Sequence, residues 1–297
     1  MTEPRDGFVF AATGESYTGL ARRAARNLRQ VMPQAKIDLF TDQAVEDTVF
    51  DRIHPVTPGF FRPKMEAMAN SRFERTVYLD TDVIALADVS ELFTVLDRYD
   101  IAAAHMAYLN SILASGDQGI PDSFPQLNAG VIAWKRSEQM RALLLEWSRL
   151  MHETGASFDQ PILRRLLWQS DLRLAVLPME YNFKCMTFLE VLDSRHRAPR
   201  LMHFSELNQT DKWRGEGAYT LDELIGARRA DQVRKLQVAA RLPETDPVLV
   251  PPLFRHVYSL ANPQFYLRRY GSKLLRRMLR RVVGNAAPAA ARDPEVK

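Results

Sequence analysis

The sequence has very little cysteine and no long apolar run. Cys185 is its only cysteine, so no disulfide can form within the chain. This is typical of proteins from a reducing compartment and argues against a small secreted fold held together by disulfides. No apolar run reaches the roughly 18 residues of a membrane span. The first ten residues also lack the basic and apolar stretches of a signal peptide. We therefore expect a cytoplasmic protein.

Acidic and basic residues are unevenly distributed along the chain. Residues 248–297 contain ten Lys or Arg and two acids, for a net charge of +8, whereas residues 1–247 have a net charge of −4. Proteins that bind nucleic acid usually carry their basic surface on the folded domain itself. We therefore expect no nucleic acid partner, and we interpret the basic C-terminal segment as a surface anchor.

Alternating strand and helix patterns indicate an α/β fold. Residues 7–12 form an apolar run, residues 17–32 have apolar residues at helical spacing, and residues 36–41 predict a second strand. Such a βαβ unit builds parallel sheets, so we expect a mostly parallel central sheet. The same patterns predict further helices and strands. The helices are at residues 65–73, 137–151 and 159–168, and the strands at residues 76–79, 101–104, 128–134, 174–177 and 200–204. Ser137 is the predicted N-cap of its helix, and the Gly-, Ser-, Asp- and Pro-rich residues 109–126 predict a loop.

The domain organisation follows from composition. We expect one α/β domain at residues 1–250, a basic amphipathic helical segment at 251–285 and a disordered tail at 286–297. Residues 264–283 place seven basic residues opposite apolar residues at helical spacing. Such a helix suits an anionic membrane surface. The alternative is a helix that packs on the domain and leaves its basic face in water.

Two aspartates follow the predicted strand at residues 76–79. Asp80 and Asp82 are separated by Thr81. Ligands of open α/β sheets bind at the carboxyl ends of strands, and paired carboxylates there suit a divalent cation. An isolated Asp-x-Asp also occurs in ordinary solvated turns, so the motif alone leaves both interpretations open.

Four blocks of sequence, in the expected order, resemble glycosyltransferase family 8, which includes glycogenin and bacterial lipopolysaccharide sugar transferases. The blocks are residues 64–93 (KMEAMANSRFERTVYLDTDVIALADVSELF), 127–134 (LNAGVIAW), 158–163 (FDQPIL) and 201–204 (LMHF). The resemblance covers roughly residues 7–215 and implies a GT-A, Rossmann-like fold. It also implies metal-dependent transfer of a hexose from a nucleotide sugar, a UDP-sugar with Mn²⁺ or Mg²⁺, with retention of anomeric configuration.

The resemblance also assigns roles to individual residues. Asp80, Asp82 and His203 would bind the metal, and Asp159 and Gln160 would lie beside the reacting sugar carbon. The donor would contact Thr13, Tyr17, Lys64, Asp80, Thr81, Asn128, Gly130 and Lys212.

Several of these residues also have ordinary structural interpretations. Tyr17 could pack on the core, Lys64 could be a solvated helix residue, and His203 could be a core histidine. Asp159 could cap a helix. Lys212 could be a surface lysine, because eight residues separate it from His203, which is longer than the family's spacing.

The sequence leaves rival functions open. A nucleotidylyltransferase would have a basic, Gly-rich loop after its first strand, which this sequence lacks. A phosphatase of the haloacid dehalogenase type would carry its Asp-x-Asp near the N-terminus. A third rival is a non-catalytic membrane-associated sugar-binding or scaffold protein on a degenerate GT-A fold. We favour a peripheral enzyme at the inner face of the cytoplasmic membrane that transfers sugar to a glycan or lipid-linked acceptor in lipopolysaccharide or surface polysaccharide synthesis.

Overall fold

The computed structural model describes residues 3–56, 63–106, 119–193 and 195–241. Contacts divide the chain into one unit at Met1–Val238 and another at Ala239–Lys297. The predicted loop at 109–126 lies only partly within the described residues. The predicted helical segment at 251–285 and the tail at 286–297 lie outside them, so the domain boundaries stay predictions.

The first unit alternates strands with helices, as the sequence pattern predicts. The strands are β1 (Asp6–Ala12), β2 (Ile37–Thr41), β3 (Arg52–Pro55), β4 (Arg75–Leu79), β5 (Val83–Ala85), β6 (Ile101–His105), β7 (Leu127–Lys135), β8 (Leu174–Leu177) and β9 (Leu201–His203). The helices are α1 (Gly14–Val31), α2 (Lys64–Ala69), α3 (Glu91–Val95), α4 (Glu138–Thr154), α5 (Gln160–Trp168) and α6 (Leu221–Arg241). Gly226 interrupts α6 with a φ of 75°.

Seven strands form the central sheet, in the order β3-β2-β1-β4-β7-β6-β8. The pairs β1–β2, β1–β4, β2–β3 and β6–β8 are parallel, and β7 is antiparallel to both of its neighbours. The expectation of a mostly parallel α/β sheet is confirmed. A separate antiparallel pair joins β5 to β9.

Both faces of the sheet are covered, which explains why its strands read as nearly continuous apolar runs. Along β1, Phe8 and Phe10 belong to one buried cluster, which contains Leu20 and Leu28 of α1. The alternate residues of β1 belong to a second cluster, which α2, α4 and α5 cover. Side chains of successive strand residues point to opposite faces, so one strand supplies both cores.

Both ends of α4 agree with local sequence signals. The Ser137 hydroxyl accepts a hydrogen bond from the backbone N–H of Met140, which confirms the predicted N-cap of α4. Gly155 ends the same helix in the left-handed conformation with a φ of 59°, which glycine adopts without a steric penalty. None of the helices in the described ranges is both long and apolar enough to span a bilayer.

Candidate metal centre and substrate pocket

The backbone of four strands brings the candidate metal ligands together. Asp80 follows β4 directly, and its N–H donates to the carbonyl of Gly130 in β7 at 2.8 Å. In the small sheet, Val83 of β5 pairs with His203 of β9. The N–H of Phe204 donates to the carbonyl of Asp82 at 2.9 Å. Strand register therefore positions His203 beside Asp82, although 121 positions of sequence separate them.

Asp80, Asp82 and His203 form a cluster that could hold a metal ion. One ligand atom from each lies within 4.8 Å of the others, and both Asp82 and His203 are buried. His203 Nε2 lies 3.3 Å from Asp82 Oδ1. Two carboxylates and an imidazole suit a divalent transition metal such as Mn²⁺ better than Ca²⁺. The cluster therefore fits the kind of metal that the sequence resemblance implies.

Neighbouring polar groups hold the Asp82 carboxylate in its charged form. Asn208 Nδ2 donates to Asp82 Oδ2 at 2.9 Å. Burial favours the neutral acid, but His203, Asn208 and Lys184 outweigh it, so the pKa of Asp82 lies below its usual value. Lys184 directly follows Phe183, whose carbonyl accepts a hydrogen bond from the His203 N–H at 3.0 Å, so Lys184 lies near the metal cluster. An ionised carboxylate is the form that binds metal.

Asp80 is held by two side chains from the core side of the site. The Tyr78 hydroxyl donates to Asp80 Oδ1 at 2.8 Å, and Lys64 Nζ lies 3.1 Å from the same oxygen. Burial and the charge of Asp80 raise the pKa of Tyr78 well above its usual value, so the phenol stays neutral and can donate. These contacts fix the rotamer of Asp80 before any ligand binds.

Lys64 is buried and joins two carboxylates. Its Nζ lies 3.0 Å from Asp159 Oδ2 and donates to the backbone carbonyl of Ala129 at 3.1 Å. Burial alone would lower the pKa of Lys64, but Asp159 and Asp80 outweigh it and raise the pKa above its usual value. Lys64 is therefore a charged residue at the site, and its interpretation as a solvated helix residue is wrong.

The side chain of Asp159 contributes to the site rather than to a helix cap. Asp159 stands directly before α5 and is buried, but its carboxylate makes no capping hydrogen bond. The same carboxylate pairs with Lys64. Gln160 is the first residue of α5 and is half-buried. The start of α5 thus brings Asp159, and Gln160 next to it, to the edge where β4 and β7 meet the metal cluster.

Asn128 and Gly130 line the same edge from β7. Asn128 Oδ1 accepts a hydrogen bond from the Gly130 N–H at 3.0 Å, which fixes the amide orientation. Among the described residues, Asn128 Nδ2 has no recorded hydrogen-bond partner. A Cβ at Gly130 would lie 2.4 Å from His203 Cε1 and 3.1 Å from Asp80 Oδ2. Glycine is therefore required here for β7 to approach the metal ligands.

Thr13 and Tyr17 lie at the carboxyl end of β1, which is next to β4 in the sheet. Thr13 precedes α1 without a side-chain cap, and Tyr17 is 43% exposed. The Gly14 N–H donates to Asp42 Oδ1 at 2.8 Å, so Asp42 supplies an acid near this loop from the end of β2. Within the described ranges, no hydrogen bond or ion pair links Thr13 or Tyr17 to the metal cluster. Their role as donor contacts stays a prediction.

Lys212 lies in a short 3-10 segment, Asp211–Arg214. Its Nζ donates to the carbonyl of Glu223 at 2.6 Å. The segment is docked by Arg23 of α1, whose guanidinium donates to the carbonyls of Lys212 and Gly217 and pairs with Glu223. The Lys212 side chain therefore points to the start of α6. The predicted contact between Lys212 and a diphosphate stays a prediction.

Four residues that contact or approach the site were not predicted from the sequence: Tyr78, Asn182, Lys184 and Asn208. A polar residue within an apolar strand pattern marks Tyr78, because alternate strand residues share one face. The other three reach the site through the pairing of β9 and through the segments that flank it. No local signal identifies such partners.

Comparison with known proteins agrees with this fold. No family model and no curated protein sequence matches the chain. The galactosyltransferase LgtC with donor and acceptor sugar analogues gives a TM-score of 0.52 at 15% identity, over 80% of this chain and 98% of the other. An active-site glutamine-to-glutamate mutant of LgtC gives 0.52 at 16% identity, over 80% of this chain and 98% of the other. The glycosyltransferase GlyE of Streptococcus pneumoniae gives 0.51 at 18% identity, over 82% of this chain and 66% of the other.

The chain has a GT-A glycosyltransferase fold. The fold class expected from the sequence is confirmed, and the predicted strands and helices occur in the predicted order. The elements β3, β5, α3 and α6 were not predicted. At these identities the likeness establishes the fold alone. The activity therefore has to be argued from the site.

Proposed function

We propose that this protein is a metal-dependent glycosyltransferase that moves a hexose from a nucleotide sugar, a UDP-sugar, to a hydroxyl of a glycan or lipid-linked acceptor. One observation carries the proposal. A metal-binding cluster of Asp80, Asp82 and His203 lies at the carboxyl edge of a glycosyltransferase fold, next to the buried Lys64–Asp159 pair. The solved structures that resemble the chain are glycosyltransferases, which supports a transferase over the rival enzyme classes.

Asp80, Asp82 and His203 would hold the metal, which we propose is Mn²⁺ or Mg²⁺. When bound, such an ion neutralises negative charge on the diphosphate leaving group. Lys184 adds positive charge at the same edge, as its effect on Asp82 indicates. Thr81 lies between the two aspartates and is buried, so its backbone is fixed beside the donor.

The donor sugar would lie between β7 and the start of α5. Asn128 offers its Nδ2 as a donor to a sugar hydroxyl, since its Oδ1 already accepts from Gly130. Lys64 and Asp159 form a fixed ion pair that can bond the remaining hydroxyls. Gln160 directly follows Asp159 in the chain. One of the similar structures is a mutant of LgtC in which an active-site glutamine is changed to glutamate. We assign Asp159 and Gln160 to the reacting carbon.

We propose a transfer that retains configuration at that carbon. The bond between the anomeric carbon and the diphosphate breaks as the acceptor oxygen attacks from the same face. The acceptor proton passes to an oxygen of the departing phosphate. The sugar has oxocarbenium character in the transition state, which nearby oxygens of Asp159 and Gln160 stabilise.

The acceptor and the cellular site are also proposals. A basic helical segment at residues 251–285 would hold the enzyme on the inner face of the cytoplasmic membrane. A lipid-linked acceptor of lipopolysaccharide or surface polysaccharide synthesis would then be within reach.

A thermal-shift screen of nucleotide sugars with and without Mn²⁺ tests the proposal. A ligand at 100 times its dissociation constant stabilises a folded protein by about 2.7 kcal/mol. We expect a shift for one UDP-sugar that requires Mn²⁺ and disappears in the Asp80→Asn/Asp82→Asn variant. Asp211→Asn is the matched control, because the Asp211 side chain is 76% exposed. If the folded wild type responds to no nucleotide sugar, a non-catalytic scaffold becomes the better interpretation.

A further inference from the structure

Asn182 lies buried between the sugar side and the metal side of the site. It follows the short 3-10 helix Met179–Tyr181 and is 5% exposed. Its Oδ1 lies 3.0 Å from His203 Nδ1. Its Nδ2 donates to the backbone carbonyl of Asn128 at 3.3 Å. Asn182 therefore bridges β7 and β9 at the point where both approach the metal cluster.

The carbonyl of Asn128 decides which way the Asn182 amide points. A backbone carbonyl oxygen can only accept, so the NH₂ end of Asn182 has to face it. The opposite amide orientation would place two oxygens in contact in a buried setting, where polar groups left without a hydrogen bond are strongly disfavoured. Asn182 Oδ1 is consequently the atom that faces His203.

The amide orientation in turn determines the state of the imidazole. An amide oxygen only accepts, so the hydrogen bond at 3.0 Å requires the proton on His203 Nδ1. A neutral imidazole with its proton on Nδ1 has a bare lone pair on Nε2. That lone pair faces Asp82 Oδ1 at 3.3 Å, so these two acceptors need either a second proton on Nε2 or a cation between them. In the metal-free protein a protonated Nε2 can donate to Asp82, and a bound cation takes the place of that proton.

We infer that Asn182 is a positioning residue that fixes His203 in the Nδ1–H tautomer and presents Nε2 as the metal ligand. The tautomer assignment stands on geometry, and the metal part rests on the proposed function. Asn182 also links the backbone of Asn128, a proposed sugar-binding residue, to a metal ligand. Such supporting partners of metal-bound histidines typically contribute 10–100-fold to metal affinity.

The first measurement reads the tautomer directly in the metal-free protein. Protein labelled with ¹⁵N at histidine gives distinct signals for protonated and bare ring nitrogens, and a His203→Gln sample assigns the signals of His203. We expect a protonated Nδ1 in the wild type, whether or not Nε2 also carries a proton. A bare Nδ1 in the wild type would overturn the inference.

The second measurement compares two variants of Asn182 without any nucleotide sugar. Asn182→Leu removes the acceptor, so we expect mixed tautomers and a 10–100-fold loss of Mn²⁺ affinity, measured by electron paramagnetic resonance of free Mn²⁺. Asn182→Asp keeps an acceptor oxygen toward Nδ1, so we expect the wild-type tautomer and a loss below about tenfold. If Asn182→Leu is folded and keeps both the tautomer and the affinity, Asn182 has no positioning role.

The outcomes separate this inference from the proposed function. If the wild type shows the Nδ1–H tautomer and Asn182→Leu disturbs it, but neither binds Mn²⁺, the metal of the proposed function is wrong and the tautomer assignment stands. If Mn²⁺ and a UDP-sugar bind but the tautomer is reversed, the proposed function stands and the inference fails. Should Asn182→Leu not fold, the wild-type tautomer and Asn182→Asp still decide.

Discussion

The metal edge of the site and the loop that carries Lys212 are built in opposite ways. Asp82 and His203 are buried and are held by the pairing of β5 with β9. Lys212 belongs to a segment whose backbone is docked by Arg23, while its ammonium group donates to Glu223 at the surface. At the metal edge, buried side chains converge on the metal cluster. In the segment that carries Lys212, Arg23 holds the backbone in place.

This difference indicates which part of the site is preorganised. Buried donors and acceptors have to find partners inside the protein, so the metal ligands are already oriented by Tyr78, Asn182 and Asn208. Exposed side chains such as Tyr17 are satisfied by water and have no such requirement. We expect substitutions at the metal edge to affect both stability and ligand binding, and substitutions at the exposed loop to affect binding alone.

Removing the buried lysine has the largest expected effect. Lys64→Met leaves the carboxylates of Asp80 and Asp159 without their cation, and breaking one side of a buried ion pair costs about 3–5 kcal/mol. The free energy of unfolding, measured by urea denaturation, should fall by that amount. Lys235→Met is the control, because Lys235 and Asp231 form an exposed pair at 2.5 Å, and such pairs contribute at most about 1 kcal/mol.

A double variant makes this test sharper. Lys64→Met/Asp159→Asn removes one of the two stranded charges, so it should be more stable than Lys64→Met alone. Equal costs for Lys64→Met and Lys235→Met would contradict the buried ion pair. It would also mean that the buried metal edge is no more sensitive to the loss of an ion pair than the exposed surface of α6.

Filling the space at Gly130 should disturb the metal centre more than the fold. Gly130→Ala places a methyl group 2.4 Å from His203 Cε1, so the imidazole has to move. Overpacking of this kind costs about 1–3 kcal/mol, and we expect Mn²⁺ affinity to fall at least about tenfold. Gly217→Ala is the control in the exposed region, where a Cβ meets nothing within 4 Å. Calorimetric titration with Mn²⁺ would refute the prediction if both variants bound it equally.

Local patterns in the sequence were sufficient for the α/β sheet and for the position of the two aspartates, whose role as metal ligands came from the family resemblance. The apolar runs of β1 and β4 are buried on both faces, and that pattern is visible without a structure. Asp80 and Asp82 stand directly after such a run, at the sheet edge where ligands bind. The predicted N-cap at Ser137 depends on neighbouring residues only, and it is confirmed.

Contacts between distant segments could not be predicted in this way. Lys64 has a helical position that gives no sign of burial, and only the packing of α2 against α4 and β1 brings it to Asp159. Asn182 and Asn208 reach the metal ligands because β9 pairs with β5. The sequence resemblance named His203 as a ligand, but it could not supply the side chains that orient it.

The smallest expected effect distinguishes whether Lys184 or Lys212 contacts the diphosphate. The sequence resemblance favours Lys212, whereas the structure places the charge of Lys184 within reach of Asp82 and directs Lys212 to Glu223. One charge-assisted contact in a partly exposed site contributes about 1 kcal/mol. We therefore expect Lys184→Met to weaken UDP binding in the presence of Mn²⁺ by about fivefold, and Lys212→Met by less than about twofold.

Both lysines are partly exposed, so neither change should alter the melting temperature. A larger loss in Lys212→Met would mean that the segment around Lys212 rearranges when the donor binds, because its ammonium group would have to leave Glu223 to reach the phosphates.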